Sequence, residues 1–256
     1  MTITRRQHGR GHVYEVNGKR YPGVTTILRS TLAKDALVGW AARTTAEYAL
    51  DHWADLDALR PSERLKLMTG ASNAQRDAAA VRGTAVHRLA DQIVTSADHD
   101  AVAVPDDLAA YVDSYLAFIA DHQPEPIATE LVVANRHARY CGTADLVAIM
   151  RGATWLLELK TSKGLRSDSA LQACAYRHGE VYTLPGDEGR ERPLAELGIT
   201  RTGVVHIRAG GYDLRPLDTG PTTWDYFKRL AWLYHHADRA EGWVGEAIQP
   251  ARALAS

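Results

Sequence analysis

Residues 140–161 read YCGTADLVAIMRGATWLLELKT, two apolar runs joined by a turn at Arg151 and Gly152. Branched and aromatic side chains in runs of this length are typical of β-strands, and the glycine favours a turn between them. If the two runs pair as neighbouring antiparallel strands, Asp145 and Glu158 meet at one end of the sheet, because pairing brings sequence-distant residues side by side. The stretch therefore predicts a sheet that carries two carboxylates at one end.

The rest of the chain is predicted to surround this sheet with helices. Strand patterns recur at 127–135, 204–208 and 212–217, whereas most of 37–119 and 167–182 have helical patterns. Alternating residues around Asn17-Gly18 predict an initial hairpin, and Gly83 either divides two helices or allows a close approach. We expect one α/β domain over 1–256, with an N-terminal hairpin and helical extension at 1–70, a core at 71–220 and a C-terminal helix at 221–256.

The two carboxylates indicate a chemistry. Hard oxygen ligands suit Mg²⁺ or Mn²⁺, which retain water and accept phosphate oxygens at their remaining coordination positions. Lys160 follows Glu158 by two residues, so both side chains emerge on one face of a strand. An ammonium group there can orient a metal-bound water, favour its hydroxide form or stabilise transition-state charge, and the sequence leaves these three roles open.

Several motifs carry a resemblance to a known family. The RecB-like branch of the PD-(D/E)XK nuclease superfamily has successive motifs that resemble Gly142-Thr143-Ala144-Asp145, Glu158-Leu159-Lys160-Thr161 and Gln172 with Tyr176. The helix that supplies a metal-binding histidine in that branch is similar to Gly83-Thr84-Ala85-Val86-His87. Small phage exonucleases and the mitochondrial genome maintenance exonuclease begin with a segment that resembles Pro22-Gly23-Val24-Thr25-Thr26-Ile27-Leu28.

The resemblance implies a restriction-endonuclease-like α/β core, a mixed sheet flanked by helices, with the N-terminal helical extension as a wall over the cleft. It also implies a metal-dependent exonuclease that hydrolyses DNA, single-stranded or with a free end, in phage replication, recombination or DNA degradation. The implied ligands of Mg²⁺ or Mn²⁺ are His87, Asp145, Glu158 and the backbone carbonyl of Leu159.

The same resemblance assigns the remaining site residues. Lys160 would be the catalytic lysine, beside the catalytic carboxylates of Asp145 and Glu158. Residues implied to line the site or contact DNA phosphates are Gln172 and Tyr176, at i and i+4 on one helix face, and Lys163 and Arg166 in the preceding loop.

Composition limits the partners and cofactors. Thirty Lys and Arg residues against 31 Asp and Glu residues argue against coating of DNA by bulk positive charge, but leave room for a local basic groove. Cys141 and Cys174 are the two cysteines of the chain, so we expect no four-cysteine iron-sulfur cluster. Without an apolar segment of signal-peptide or membrane-span length, we expect a cytoplasmic protein of a bacterium or phage-infected cell, with no membrane contact. A helicase motif is absent, so unwinding would need a replication or recombination partner.

Each signal also has a less specific explanation. A Glu and a Lys at the end of a strand are commonly a solvated edge, and a helical histidine such as His87 is commonly a hydrogen-bonded structural residue. Glu130 is either a site carboxylate or an exposed strand residue, and we do not predict it as a metal ligand. The aromatic residues of 224–234 favour core packing over base stacking. The alternative functions are a non-catalytic DNA-binding recombination accessory protein on a nuclease scaffold and a structure-specific endonuclease.

Overall fold

A mixed seven-stranded sheet forms the centre of the computed structural model, which describes residues 2–8, 11–32, 35–98, 101–187 and 189–248. The strands are β4 (Glu125–Asn135), β5 (Tyr140–Met150), β6 (Ala153–Lys160), β7 (Val181–Thr183), β8 (Arg192–Pro193), β9 (Arg201–Arg208) and β10 (Gly211–Pro216). Their order is β10-β9-β6-β5-β4-β7-β8. All neighbours pair antiparallel except β6 and β9, which run parallel. The predicted antiparallel pairing of β5 and β6 is therefore confirmed.

Helices cover both faces of this sheet. They are α1 (Val24–Thr31), α2 (Asp35–Asp51), α3 (Trp53–Asp57), α4 (Pro61–Thr95), α5 (Ala109–His122), α6 (Asp168–Arg177) and α7 (Pro221–His236). Apolar residues of α1, α6 and α7 pack on one face, and those of α5 and the end of α4 pack on the other. Short 3₁₀ turns lie at Asp106–Leu108, Leu194–Leu197 and Ala237–Trp243. The expected α/β class, a mixed sheet flanked by helices, is confirmed.

A separate three-stranded sheet precedes α1 and packs on the large sheet. It consists of β1 (Ile3–His8), β2 (Gly11–Val16) and β3 (Lys19–Tyr21), in the order β1-β2-β3. Asn17 and Gly18 join β2 and β3 with φ angles of 50° and 74°, which are the left-handed conformations that this turn requires. The predicted hairpin is confirmed, and β1 extends it by one strand. Buried apolar side chains of β1 and β2 pack against β4 and β5.

Helix α4 is 35 residues long and connects the N-terminal segment to the sheet. It runs through residue 70 without a break, so the expected extension and core share this helix. Gly83 does not divide it, and the close-approach alternative is the one observed: a Cβ there would lie 3.2 Å from Thr161 Oγ1. The buried residues of α4 lie between Val86 and Val94, so its last turns are the part that joins the core.

Some aromatic residues of α7 are packed in the core, and others are exposed to solvent. Phe227 is fully buried and Trp224 packs beside it, with ring centroids 6.0 Å apart. Tyr226 and Trp232 are exposed. Core packing is thus confirmed for the inward face of α7. Among the helices within the described residues, none is long and apolar enough to cross a membrane.

Candidate functional site

The antiparallel strands β5 and β6 bring two carboxylates to one place. Their pairing runs up to Leu146↔Leu157, and Asp145 and Glu158 follow directly beyond it. Asp145 Oδ2 accepts a hydrogen bond of 2.7 Å from the Leu159 N–H, and Oδ1 lies 3.2 Å from His87 Nδ1 on α4. The helix therefore delivers its histidine to the end of the β5–β6 pair, although 58 residues separate His87 from Asp145.

Glu158 belongs to a second set of contacts, which α6 completes. Lys160 Nζ donates to Glu158 Oε1 at 2.8 Å and to Gln172 Oε1 at 2.9 Å. Gln172 Nε2 donates to Glu158 Oε1 and, at 3.0 Å, to the Tyr176 hydroxyl. Glu158 is 2% exposed, and its buried Oε2 has no hydrogen-bond partner among the residues that the structure describes. Gln172 and Tyr176 therefore support the Glu158 carboxylate, and that carboxylate keeps one oxygen unpaired.

Burial opposes every charge in this cluster, and the neighbouring charges decide which forms persist. Burial lowers the pKa of His87, but the carboxylates of Asp145 and Glu158 outweigh it and raise this pKa to about 9. Burial and the charge of Asp145 raise the pKa of Glu158 to about 7. Burial would raise the pKa of Asp145, but the charges of His87 and Lys160 hold it below its ordinary value.

The pKa of Lys160 follows the same balance. Burial would lower it, but the carboxylates of Glu158 and Asp145 raise this pKa above its ordinary value. At neutral pH, His87 and Lys160 therefore carry their protons and Asp145 is ionised. Glu158 titrates near neutrality, as expected for one of two carboxylates that share a buried place.

Gly142 of β5 makes room for the Tyr176 ring beside the cluster. A Cβ at Gly142 would lie 2.3 Å from Tyr176 Cε1, so the ring packs directly on the glycine backbone of β5. The next residue, Thr143, contacts the Tyr14 hydroxyl of β2 at 2.9 Å through its Oγ1. The small sheet and α6 thus both reach β5 within three residues of Asp145.

A cationic cavity adjoins the lysine. It measures about 310 Å³ and is lined by Thr25, Leu28, Arg29, Lys160, Ser162, Gly164, Arg166, Asp168, Ser169 and Gln172. Arg29 and Arg166 are exposed, and three cations face one carboxylate, Asp168. Arg166 therefore lies in the cavity beside Lys160, and its contact with DNA stays a prediction. Lys163 lies on the same loop, exposed to solvent and not in the cavity lining.

Two residues near the site, Arg29 and Asp91, were not predicted from the sequence, and Glu130 was left between two explanations. A small cavity beside Asp145 is lined by His87, Asp91, Val94, Tyr115, Glu130, Asp145, Leu146 and Leu159. Glu130 lies opposite Asp145, between the pairs Thr129↔Leu146 and Leu131↔Ala144, with a φ of 49° that a glutamate rarely adopts. Arg5 of β1 binds the Glu130 carboxylate at 2.8 Å. Asp91 follows His87 by four residues on α4, and this spacing was the signal available for it.

The donor atoms around Asp145 and Glu158 are of the types that bind a hard divalent cation. They are the carboxylates of Asp145 and Glu158, a ring nitrogen of His87 and the carbonyl of Leu159. A residue's N–H and C=O point to the same side of an antiparallel strand, so this carbonyl shares the edge where the Leu159 N–H meets Asp145. The unpartnered Glu158 Oε2 is costly to bury without a donor or a cation.

The side chains themselves are held in direct ion pairs. Within the described ranges, no group of three or more His, Cys, Asp or Glu side chains is arranged to hold a metal ion. Asp145 pairs with His87, and Glu158 pairs with Lys160. A ligating imidazole nitrogen is neutral, so metal binding would require His87 to release its proton. The site therefore suits a divalent cation in the types of its donor atoms and in the unpaired Glu158 Oε2.

Comparison with known proteins adds little to this description. No protein-family model matches the sequence, and no curated protein matches it. Among solved structures, the crystal structure of SSO0001 matches with a TM-score of 0.31 and 16% sequence identity, over 50% of this chain and 57% of that chain. This chain thus spans little more than half the length of that relative. A likeness of this extent carries no argument about function.

Proposed function

We propose that this chain is a metal-dependent deoxyribonuclease with a PD-(D/E)XK core. Its substrate is DNA that is single-stranded or has a free end, and its reaction is hydrolysis of phosphodiester bonds in the presence of Mg²⁺ or Mn²⁺. One observation carries the proposal. Two adjacent ion pairs from one helix and two strands, His87 with Asp145 and Lys160 with Glu158, form a partly buried cluster in which Glu158 Oε2 has no hydrogen-bond partner among the described residues. Perturbed ionisable groups that cluster in this way are typical of functional sites.

The residues of the cluster have different roles in the proposed reaction. A bound divalent ion would supply activation of water and neutralisation of phosphate charge. Asp145, Glu158, His87 and the Leu159 carbonyl would hold it. Because its pKa is raised, Lys160 keeps its proton at neutral pH and acts as a fixed cation rather than as a base. It stabilises negative charge that develops on the phosphate, or orients the water, from its place beside Glu158.

Gln172 keeps this lysine and carboxylate together. Its amide oxygen accepts from Lys160, and its amide nitrogen donates to Glu158. Both groups are therefore bound to one side chain that α6 presents from a buried position. The cationic cavity with Arg29 and Arg166 lies next to Lys160 and suits the phosphates that flank the cleaved bond.

The test is cleavage of 5′-labelled and 3′-labelled linear single-stranded DNA, beside a circular single strand, with Mg²⁺, Mn²⁺ or EDTA. We expect metal-dependent loss of the linear strand and an intact circle, because an exonuclease needs a free end. Lys160→Met should lower kcat by a factor on the order of 10²–10³, the usual cost of one transition-state charge partner. Lys66→Met, which removes an exposed lysine of α4, is the matched control and should cut at the wild-type rate.

Other outcomes of this assay would replace the proposal. A cut circle would make the protein a structure-specific endonuclease. Folded protein that binds DNA but leaves every strand intact under both metals would be an accessory DNA-binding protein, with the ion pairs of the cluster as structural contacts. Equal rates for Lys160→Met and wild type would show that the site lies elsewhere.

A further inference from the structure

A buried histidine of β9 holds the loop that follows Lys160. His206 lies beside Lys160 in the parallel β6–β9 pairing and is 5% exposed. Its Nε2 is 2.6 Å from the carbonyl oxygen of Ser162, in the loop between β6 and α6. This hydrogen bond joins the loop to the sheet two residues after Lys160.

The partners of His206 fix which ring nitrogen carries the proton. Arg208 Nη1 lies 2.9 Å from His206 Nδ1, and a guanidinium can only donate, so Nδ1 accepts and carries no hydrogen. The Ser162 carbonyl can only accept, so Nε2 donates to it. Asp213 Oδ2 binds the same Arg208 nitrogen at 2.6 Å and holds the guanidinium against the ring. The chain Asp213–Arg208–His206 therefore aims one N–H at the loop.

Ser162 lies at the start of the cationic part of the loop. Ser162 Oγ donates to the Gly164 carbonyl at 2.9 Å, which closes a turn around Lys163. Further along, the Arg166 carbonyl accepts the Ser169 N–H at 3.1 Å, where the chain enters α6. Lys163 thus lies between an anchor at Ser162 and an anchor at the Arg166 carbonyl, and the backbone of Arg166 is held at the start of the helix. Loss of the first anchor would leave the segment from Ser162 to Arg166 fixed at its helical end alone.

We propose that His206 is a positioning residue for DNA binding. Through the Ser162 carbonyl it fixes the loop so that Lys163 and Arg166 present their charges to the DNA backbone beside the cleaved phosphate. The inference rests on the proposed function for its substrate, but the hydrogen bond itself does not depend on catalysis. The partners of His206 are the Ser162 carbonyl and Arg208, with Asp213 Oδ2 at 4.0 Å, and not Asp145 or Glu158, so we expect its effect to fall on binding and not on the chemical step.

Two variants separate the hydrogen bond from the bulk of the ring. His206→Gln retains an N–H donor at nearly the place of Nε2, and His206→Phe fills the space without a donor. We expect His206→Phe to raise KM for a single-stranded oligonucleotide by about three- to tenfold, the usual weight of one hydrogen bond, with kcat within about twofold of wild type. His206→Gln should restore most of the affinity. A fall in kcat at unchanged KM, or equal effects of the two variants, would overturn the proposal.

A double-mutant comparison tests the route through the cations. In a Lys163→Ala/Arg166→Ala background, His206→Phe should have no further effect on binding, because the groups that it positions are gone. In the wild-type background, His206→Phe should reduce the salt dependence of oligonucleotide binding, measured by fluorescence anisotropy in EDTA, toward that of the double variant. Full additivity of the three substitutions would contradict the proposal.

Hydrogen exchange distinguishes failure of this inference from failure of the proposed function. Amide exchange across residues 161–170, which include the Ser169 and Ala170 N–H groups that bond the Arg166 and Ser167 carbonyls, should accelerate in His206→Phe and stay at the wild-type rate in His206→Gln. If the protein cuts no DNA but the loop and the anisotropy respond as expected, the positioning role stands and the nuclease proposal falls. If wild-type protein does not bind the oligonucleotide, or exchange of the loop is unchanged in His206→Phe, the positioning role is wrong.

Discussion

Substitution of Gly142 by alanine should disable the site from outside its charged cluster. The added Cβ would stand 2.3 Å from Tyr176 Cε1, 3.1 Å from Cδ1 and 3.2 Å from Cζ. Carbon atoms in favourable contact lie about 3.5–4.0 Å apart, so the ring has to retreat by roughly 1 Å or more. The backbone cannot yield in its place, because Gly142 pairs with Val133 inside the β4–β5 ladder. Tyr176 is 2% exposed and has little free space into which it can move.

The displacement reaches the charged groups through three hydrogen bonds of Gln172. The Tyr176 hydroxyl accepts from Gln172, and Gln172 binds both Glu158 and Lys160. We expect Gly142→Ala to cost about 1–3 kcal/mol of unfolding free energy, the usual price of overpacking a core. We expect kcat to fall by about 100-fold, because misplacement of catalytic groups by about 1 Å has effects of that order.

Urea unfolding and cleavage of labelled single-stranded DNA measure the two effects separately. Gly70→Ala on α4 is the matched control, since a Cβ at Gly70 meets no atom of the described residues within 4 Å, and alanine there should stabilise the helix by about 0.5–1 kcal/mol. Adding Tyr176→Leu to Gly142→Ala should recover stability by relieving the clash, while kcat stays low because the hydroxyl that holds Gln172 is gone. A Gly142→Ala protein with wild-type stability and kcat would refute the reasoning.

Three further predictions concern charge. Binding of Mn²⁺ at pH 7 should release about one proton from His87, because its pKa of about 9 keeps it protonated in the metal-free protein. Calorimetry in buffers of different ionisation enthalpy measures the number of protons released. The same number in His87→Gln would contradict the prediction. For the same reason, Mn²⁺ affinity should rise by up to about tenfold per pH unit between pH 7 and 9, where Glu158, with a pKa of about 7, is largely ionised and His87 is the ligand that loses a proton. Arg29→Ala should lower the slope of log affinity against log salt for single-stranded DNA by about 0.7, while Arg20→Ala, which removes an exposed arginine of β3, leaves the slope unchanged.

The sequence was sufficient where pattern and covalent proximity decide the structure. Alternation and turn residues predict β5 and β6, and their antiparallel pairing follows from the two-residue turn at Arg151 and Gly152. From that pairing, Asp145 and Glu158 have to meet, and Lys160 has to share a face with Glu158. The same reasoning predicts the hairpin at Asn17 and Gly18. These are local rules, in which each residue's neighbours along the chain fix its direction.

Contacts between elements that are distant in sequence depend on how those elements pack, and this packing could not be predicted from local patterns. His206 has no special spacing, and its role arises because β9 inserts parallel to β6 and places it beside Lys160. Arg29 reaches the cavity because α1 packs beside α6. Gly142 shows the connection between the two kinds of information. Its position three residues before Asp145 is part of a sequence motif. The physical reason for a glycine there is Tyr176, 34 residues away, whose ring occupies the space that a Cβ would take. A motif glycine is therefore best interpreted as a prediction of a contact, and the partner side chain is the part that only the fold supplies.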